Sequence, residues 1–260
     1  MILAIDGPAG SGKSTIARLV AARLGFAYLD TGAMYRAVTV RAVNNDLDVH
    51  DEQSVAEIAQ NAPITFGYTP GNPIPTEVFI DGEDVTYDIR TAQTDLYVSP
   101  VSALPAVRLA LTDQQRVLGA ERDTVMEGRD IGTVVFPHAE LKIFLTASSE
   151  ERAHRRALQN VERGVQPVDE AAVHADLLRR DAADSSRDVA PLVAASDAVT
   201  VDTTNMNIEQ VVEHIVELVE AKKAELEATS APESLEAASA PESLEAASAP
   251  ESLEPSGETL

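Results

Sequence analysis

The stretch Met1–Thr15, MILAIDGPAGSGKST, decides how the rest of the chain is read. Ile2 to Ile5 form an apolar run of strand character that stops at Asp6. Gly7, Gly12, Lys13 and Ser14 then complete the pattern G-x-x-x-x-G-K-[ST]. The spacing predicts a strand, a phosphate loop and a helix. Gly7, Gly10 and Gly12 allow positive φ and a close backbone approach to a pyrophosphate, so that successive N–H groups can point into one anion-sized hollow. The helix from about Lys13 directs its positive end there, worth roughly half an elementary charge. Lys13 adds a mobile full charge for β- and γ-phosphates, and the Ser14 hydroxyl is placed to ligate Mg²⁺.

Downstream the pattern alternates. After a helix over Lys13–Leu24, Gly25–Asp30 reads as a second strand, and Thr31-Gly32 turns it into a helix that runs to about Asn44. Such β-α-β alternation predicts a parallel sheet with right-handed crossovers. Further buried strands fit Thr124–Met126, Leu141–Leu145 and Ala198–Val201, with helices at about Pro105–Gly119, Ser149–Glu162, Val168–Ala183 and Asn207–Glu227. One block breaks the alternation. Between Ala62 and Thr91 lie Ile64-Thr65-Phe66, a Pro/Gly-rich stretch, Glu77-Val78-Phe79-Ile80 and Asp81-Gly82. That is hairpin chemistry, and it predicts a small antiparallel insert. Ligands of open α/β sheets sit at the carboxyl ends of the strands, so this insert is a candidate lobe for a second substrate.

The chain has 260 residues, 44% hydrophobic, enough for a full core, but its last thirty or so stand apart. Units of SAPESLEAA begin at Ser230 and Ser239, with SAPESLEPS from Ser248, and from Ala228 onward there are seven Glu and no Lys or Arg. The composition predicts a disordered, self-repelling tail or linker over residues 228–260. Even without it the chain stays acidic, which argues against broad nucleic-acid binding. No cysteine is present, so disulfides and thiolate metal sites are excluded. With no charged-then-apolar leader and no run of 18 apolar residues, the expectation is a cytoplasmic protein away from membranes.

The other charged residues fall in a telling pattern. Arg36 follows the second strand, Arg90 closes the insert, Arg108 opens the next helix, and Glu127-Gly128-Arg129-Asp130 follows the third strand. Arg152, Arg155, Arg156 and Arg163 stud one later helix; Arg179, Arg180, Asp181, Asp184 and Arg187 stud the next. Phosphoryl transfer between two nucleotides calls for such a set, because catalysis there is mostly positioning and charge neutralisation. Guanidinium groups fork onto phosphate oxygens, which Lys cannot do. Helical spacing places Arg152, Arg155 and Arg156 on one face. The five histidines are scattered without metal-ligand spacing.

Several longer runs resemble one family. They are Ile5-Asp6-Gly7-Pro8-Ala9-Gly10-Ser11-Gly12-Lys13, Leu29-Asp30-Thr31-Gly32-Ala33-Met34-Tyr35-Arg36, Asp88-Ile89-Arg90-Thr91 and Glu127-Gly128-Arg129-Asp130-Ile131-Gly132-Thr133-Val134-Val135-Phe136-Pro137. Lys142–Leu145, Ser149–Arg156 and Asp188–Leu192 continue the likeness. Through them residues 1–220 or so resemble bacterial-type cytidylate kinases. The resemblance implies a P-loop NTPase three-layer α/β fold with a five-stranded parallel sheet, a small antiparallel NMP-binding insert (about 62–91) and a helical lid (about 148–166), within a kinase domain of residues 1–227. It implies transfer of the γ-phosphoryl of ATP, with Mg²⁺, to CMP or dCMP by a monomer.

By residue, the resemblance assigns ATP to Gly7, Pro8, Ala9, Gly10, Ser11, Gly12, Lys13, Ser14 and Thr15, with Arg152, Arg155 and Arg156 in the lid. Thr31, Tyr35, Arg36 and Arg129 would hold the acceptor's phosphate. Arg180 would reach between the two phosphates, which makes Lys13, Arg129 and Arg180 the catalytic set. Asp184 would bind the ribose hydroxyls, and Ser99, Arg108, Asp130 and Arg187 would read cytosine. A carboxylate accepts from the exocyclic N4 amino group of cytosine, where uracil offers a repelling carbonyl oxygen. Two other readings stay open: a P-loop kinase for another small acceptor such as shikimate, and a non-catalytic nucleotide switch, although no D-x-x-G or N-K-x-D occurs. Some chains of this resemblance continue into a GTPase domain, for which the tail would be a linker.

Overall fold

Strands covered on both faces must be apolar almost throughout, and the first strand here is buried from Leu3 to Asp6. A computed structural model describes residues 1–162, 164 and 167–230. The elements are β1 (Ile2–Asp6), α1 (Lys13–Leu24), β2 (Ala27–Asp30), α2 (Thr31–Asn44), α3 (Glu52–Asn61), β3 (Ile64–Tyr68), β4 (Pro75–Ile80), β5 (Glu83–Asp84), α4 (Ala92–Ala103), α5 (Pro105–Ala120), β6 (Thr124–Gly128), β7 (Leu141–Thr146), α6 (Ser149–Glu162), α7 (Glu170–Ser185), β8 (Val199–Asp202) and α8 (Ile208–Ser230).

Five parallel strands lie in the order β2-β6-β1-β7-β8, and β3-β4-β5 form a separate antiparallel sheet. Leu3 and Ile5 of β1 pack with Ile16 and Val20 of α1 and Val212 and Ile215 of α8, whereas Ala4 faces Ile131 and Val135. The alternation along β1 therefore builds the two outer layers. In register, Asp6 stands opposite Gly128 and Phe144, and Asp30 opposite Glu127. All the chemistry-bearing strand ends share one edge of the sheet.

The core strands fall where the alternation predicts and the antiparallel insert where the hairpin chemistry does, with differences that have local causes. Gly25 is the left-handed cap of α1 (φ 69°), so β2 begins at Ala27 rather than Gly25. Asp81 and Gly82 both take positive φ, the geometry of a tight hairpin turn, and they add the short β5 to the insert. Helices α3 and α4 were not expected. α3 is short, and α4 carries an internal Pro100, which reads locally as a breaker; side-chain caps from Asp51 and Thr91 start them. A single π-helical turn follows Asp130, over Ile131–Val135. α8 runs to Ser230, three residues past the expected boundary, and the rest of the repeat tail and Arg163 lie outside the described residues. No described helix is long and apolar enough to cross a membrane.

Candidate active site

A cavity of about 1510 Å³ opens over the carboxyl edge of the sheet. Its floor is the loop between β1 and α1. Gly7, Gly10 and Gly12 take φ of 150°, 76° and 89°, and a Cβ on Gly7 would stand 2.0 Å from the Leu145 carbonyl oxygen. Only glycine lets the loop lie this close to β7. Behind it, Ala9 is held at both ends: its N–H donates to Asp181 (3.2 Å) and its carbonyl accepts from Arg152 (2.9 Å). Arg152 also pairs with Asp181 and donates to the Ala147 carbonyl (3.2 Å). Helices α6 and α7 thus clamp the loop from the rear.

Lys13 is 6% exposed and its Nζ donates to the Pro8 carbonyl (2.8 Å). Burial pushes its ammonium below the ordinary range, with Arg129 repelling it further. Glu127 is its counterpart. Burial and the neighbouring Asp30 push the Glu127 carboxyl up. Its two oxygens accept from Ser14 (3.0 Å) and from the Tyr28 hydroxyl. Ser14, Glu127 and Asp30 form an oxygen-only donor set, which fits a hard cation such as Mg²⁺. Among the described residues no group of three or more His, Cys, Asp and Glu could hold a metal.

Opposite the loop stands a wall of guanidinium groups. Arg36 donates to the Ile89 carbonyl (3.0 Å) and to Asp95 (2.6 Å). Arg129 binds Asp184 (3.0 Å), and Arg187 binds the same carboxylate and the Ser102 hydroxyl (3.2 Å). Arg180 makes no hydrogen bond or ion pair among the described residues. Burial and repulsion from Arg129, Arg36 and Arg156 hold its pKa below the ordinary arginine range. It lines the cavity as an unspent charge.

Deeper in the same wall, Arg108 and Asp130 form a buried pair at 2.6 Å, with side chains 4% and 6% exposed. Arg108 also donates to the Ser102 carbonyl (2.9 Å) and lies 5.2 Å from the Tyr35 ring centre. The second oxygen of Asp130 has no partner among the described residues. Thr31 donates to the Glu127 carbonyl (2.7 Å), fixing the start of α2 against the end of β6. Ser99 lines the cavity beside Val98.

Most of the expected site residues line this one cavity; Gly7 and Pro8, at the start of the loop, and Arg152 do not. Arg152, expected over ATP with Arg155 and Arg156, is 6% exposed and sits behind the loop rather than in the cavity wall. One helical face does not carry all three. Arg155 turns to Thr203 (2.9 and 2.8 Å) and Glu151, and Arg156 to Asp95 (3.3 Å) and Gln159. Tyr28, Asp95, Ser102 and Thr203 were not singled out from the sequence, and Asp181 was noted there only as one of the charges along its helix.

A loop shaped for polyphosphate, facing arginines shaped for a second phosphate, makes this a phosphotransferase of the P-loop class. The chain belongs to the cytidylate kinase family, whose model matches residues 3–221. It is 48% identical over 218 residues to the cytidylate kinase of Limosilactobacillus fermentum, covering 84% of this chain and 95% of that one. Against the cytidylate kinase of Streptomyces avermitilis the identity is 50% over 226 residues, 86% and 94% of the two chains. The cytidylate kinase of Carboxydothermus hydrogenoformans is 47% identical over 222 residues, 85% and 98% of the two.

Proposed function

We propose that the protein transfers the γ-phosphoryl group of ATP directly, in line, to CMP or dCMP, giving ADP and CDP or dCDP. The observation that carries the reading is the buried Arg108–Asp130 pair: both residues line the cavity, and Arg108 occupies only one of the two carboxylate oxygens. A carboxylate placed there accepts from the N4 amino group of cytosine and rejects the O4 of uracil. Arg187 and Ser99 complete the base's surroundings, and Asp184 takes the ribose hydroxyls while holding Arg129 and Arg187 in place.

In this reading residues 7–15 cradle the ATP phosphates, and Lys13 reaches the bridging and terminal oxygens. Arg155 and Arg156 cover the nucleotide from the lid, while Arg152 acts through the loop it clamps. Thr31, Tyr35, Arg36 and Arg129 hold the acceptor's phosphate. Arg180, without a partner of its own, supplies charge where it accumulates on the transferring group. Ser14, supported by Glu127, would hold Mg²⁺, which neutralises β- and γ-phosphate oxygens when bound. No covalent intermediate is needed. A monomer working in the cytoplasm belongs to the same proposal, since the absence of cysteine suits a reducing compartment.

ADP release with Mg²⁺·ATP and each of CMP, dCMP, UMP, AMP, GMP and shikimate tests the reading. Turnover of CMP and dCMP well above the rest is expected. Preference for another acceptor would keep a P-loop kinase and discard the cytosine assignment.

A further inference from the structure

Asp95 has no place in the chemistry above, yet it touches both halves of the arginine wall. It sits in the first turn of α4, where Thr91 caps the helix and the Asp95 N–H donates to the Thr91 carbonyl (3.0 Å). The side chain of Thr94 also anchors this turn, through the Asp88 carbonyl (2.7 Å). From that fixed base one carboxylate oxygen lies 2.6 Å from Arg36 of α2 and the other 3.3 Å from Arg156 of α6. Burial favours a neutral carboxyl, but Arg36, Arg156 and Arg180 outweigh it and keep Asp95 ionised below its ordinary range.

The two guanidinium groups belong to different substrates in the reading proposed above. Arg36 is an acceptor-phosphate ligand, and Arg156 stands on the helix over the ATP side. Both line the cavity, and each spends one edge on Asp95. Two guanidinium groups facing one cavity repel each other, and Arg180, whose pKa burial lowers most, is lowered further by Arg129, Arg36 and Arg156. A single carboxylate between Arg36 and Arg156 offsets that repulsion and fixes their relative orientation. A shift of either guanidinium towards an incoming phosphate therefore moves the carboxylate that orients the other. Arg155 meanwhile ties α6 to Thr203 at the end of β8, so the lid helix is anchored on its donor side and steered on its acceptor side.

We propose that Asp95 is a positioning residue that couples the two substrate sites, its two oxygens holding one acceptor-side and one donor-side arginine so that filling either site favours the arrangement the other requires. The inference rests on the proposed assignment of those sites. Coupling between two ligands typically amounts to about 5- to 150-fold in affinity.

Equilibrium titration of the full chain with CMP, with and without a saturating non-hydrolysable ATP analogue and Mg²⁺, reads the coupling directly. In the parent chain the analogue should tighten CMP binding by about tenfold. In Asp95→Asn the ratio should fall towards one, while the affinity for either ligand alone changes by less than about threefold; Asp95→Ser, made in case the first variant folds poorly, should do the same. Arg156→Gln should lower the ratio equally, and the double variant no further. A tenfold ratio retained in folded Asp95→Asn and Asp95→Ser, or no coupling in the parent chain, would overturn the proposal and leave the function intact. A parent chain that binds the analogue but never CMP would instead overturn the acceptor assignment, and the coupling with it.

Discussion

Replacing Asp130 by Asn exchanges one oxygen for an NH₂ group in the wall of the cavity, and its effect on base selectivity can be worked from the geometry. Asp130 spends one oxygen on Arg108 at 2.6 Å and keeps the other free. With CMP bound, that free oxygen accepts from the N4 amino group, a hydrogen bond to a charged acceptor worth about 1.5–3 kcal/mol. The Asn amide, oriented by Arg108 with its oxygen towards the guanidinium, turns its NH₂ to the base. It then opposes the cytosine amino group and donates to the uracil O4. The expected loss in kcat/KM for CMP is about 10- to 150-fold, with a gain for UMP of about fivefold from a neutral hydrogen bond near 1 kcal/mol. The CMP-to-UMP ratio should thus fall by roughly two orders of magnitude. Arg108 keeps the Asn oxygen, the Ser102 carbonyl and the Tyr35 ring but loses its paired counter-charge, so stability should drop by about 3 kcal/mol. Initial rates with both acceptors, taken well below the melting temperature of the variant, provide the measurement. An unchanged ratio in folded protein would refute the assignment of Asp130 to the base.

Three other outcomes are expected. Gly7→Ala drives a methyl to 2.0 Å from the Leu145 carbonyl oxygen at a φ of 150°, and should abolish ATP-analogue binding by calorimetry while lowering Tm by several degrees. Arg152→Met strands the Asp181 carboxylate and should cost about 3–5 kcal/mol by denaturant unfolding. Adding Asp181→Leu should restore much of that stability, yet KM for ATP should stay high because Ala9 has lost both clamps. Asp6, raised from an ordinary 3.8 to about 6 by burial despite the N–H groups of Gly132 and Ile131, should print a pH signature on stability. The folded state takes up a proton at higher pH than the unfolded one, so the stability of the parent chain relative to Asp6→Asn should fall by about 2 kcal/mol between pH 4 and pH 7. A flat difference in that window would count against the raised value.

The phosphate loop, the five core strands and the insert were legible in the sequence because each is a local pattern. Glycines at positive φ, apolar runs of strand length and an Asp-Gly turn act within a few residues, and the structure keeps them at Gly7–Gly12, β1 and Asp81-Gly82. The arginines were legible as a set because the parallel topology sends every strand end to one edge. Their individual partners were not. Arg152, Arg155 and Arg156 look alike on a helix, but one clamps Ala9 at a separation of 143 residues, one binds Thr203 and one reaches Asp95. Tyr28 meets Glu127 across 99 residues, and nothing near either announces it. Sequence alone determined the class of loop, the order of the layers and the kinds of side chain at the cavity. Tertiary structure alone decided which charge faces which, because electrostatic and hydrogen-bond partners are set by distances of about 3 Å that only the packed strands and helices establish.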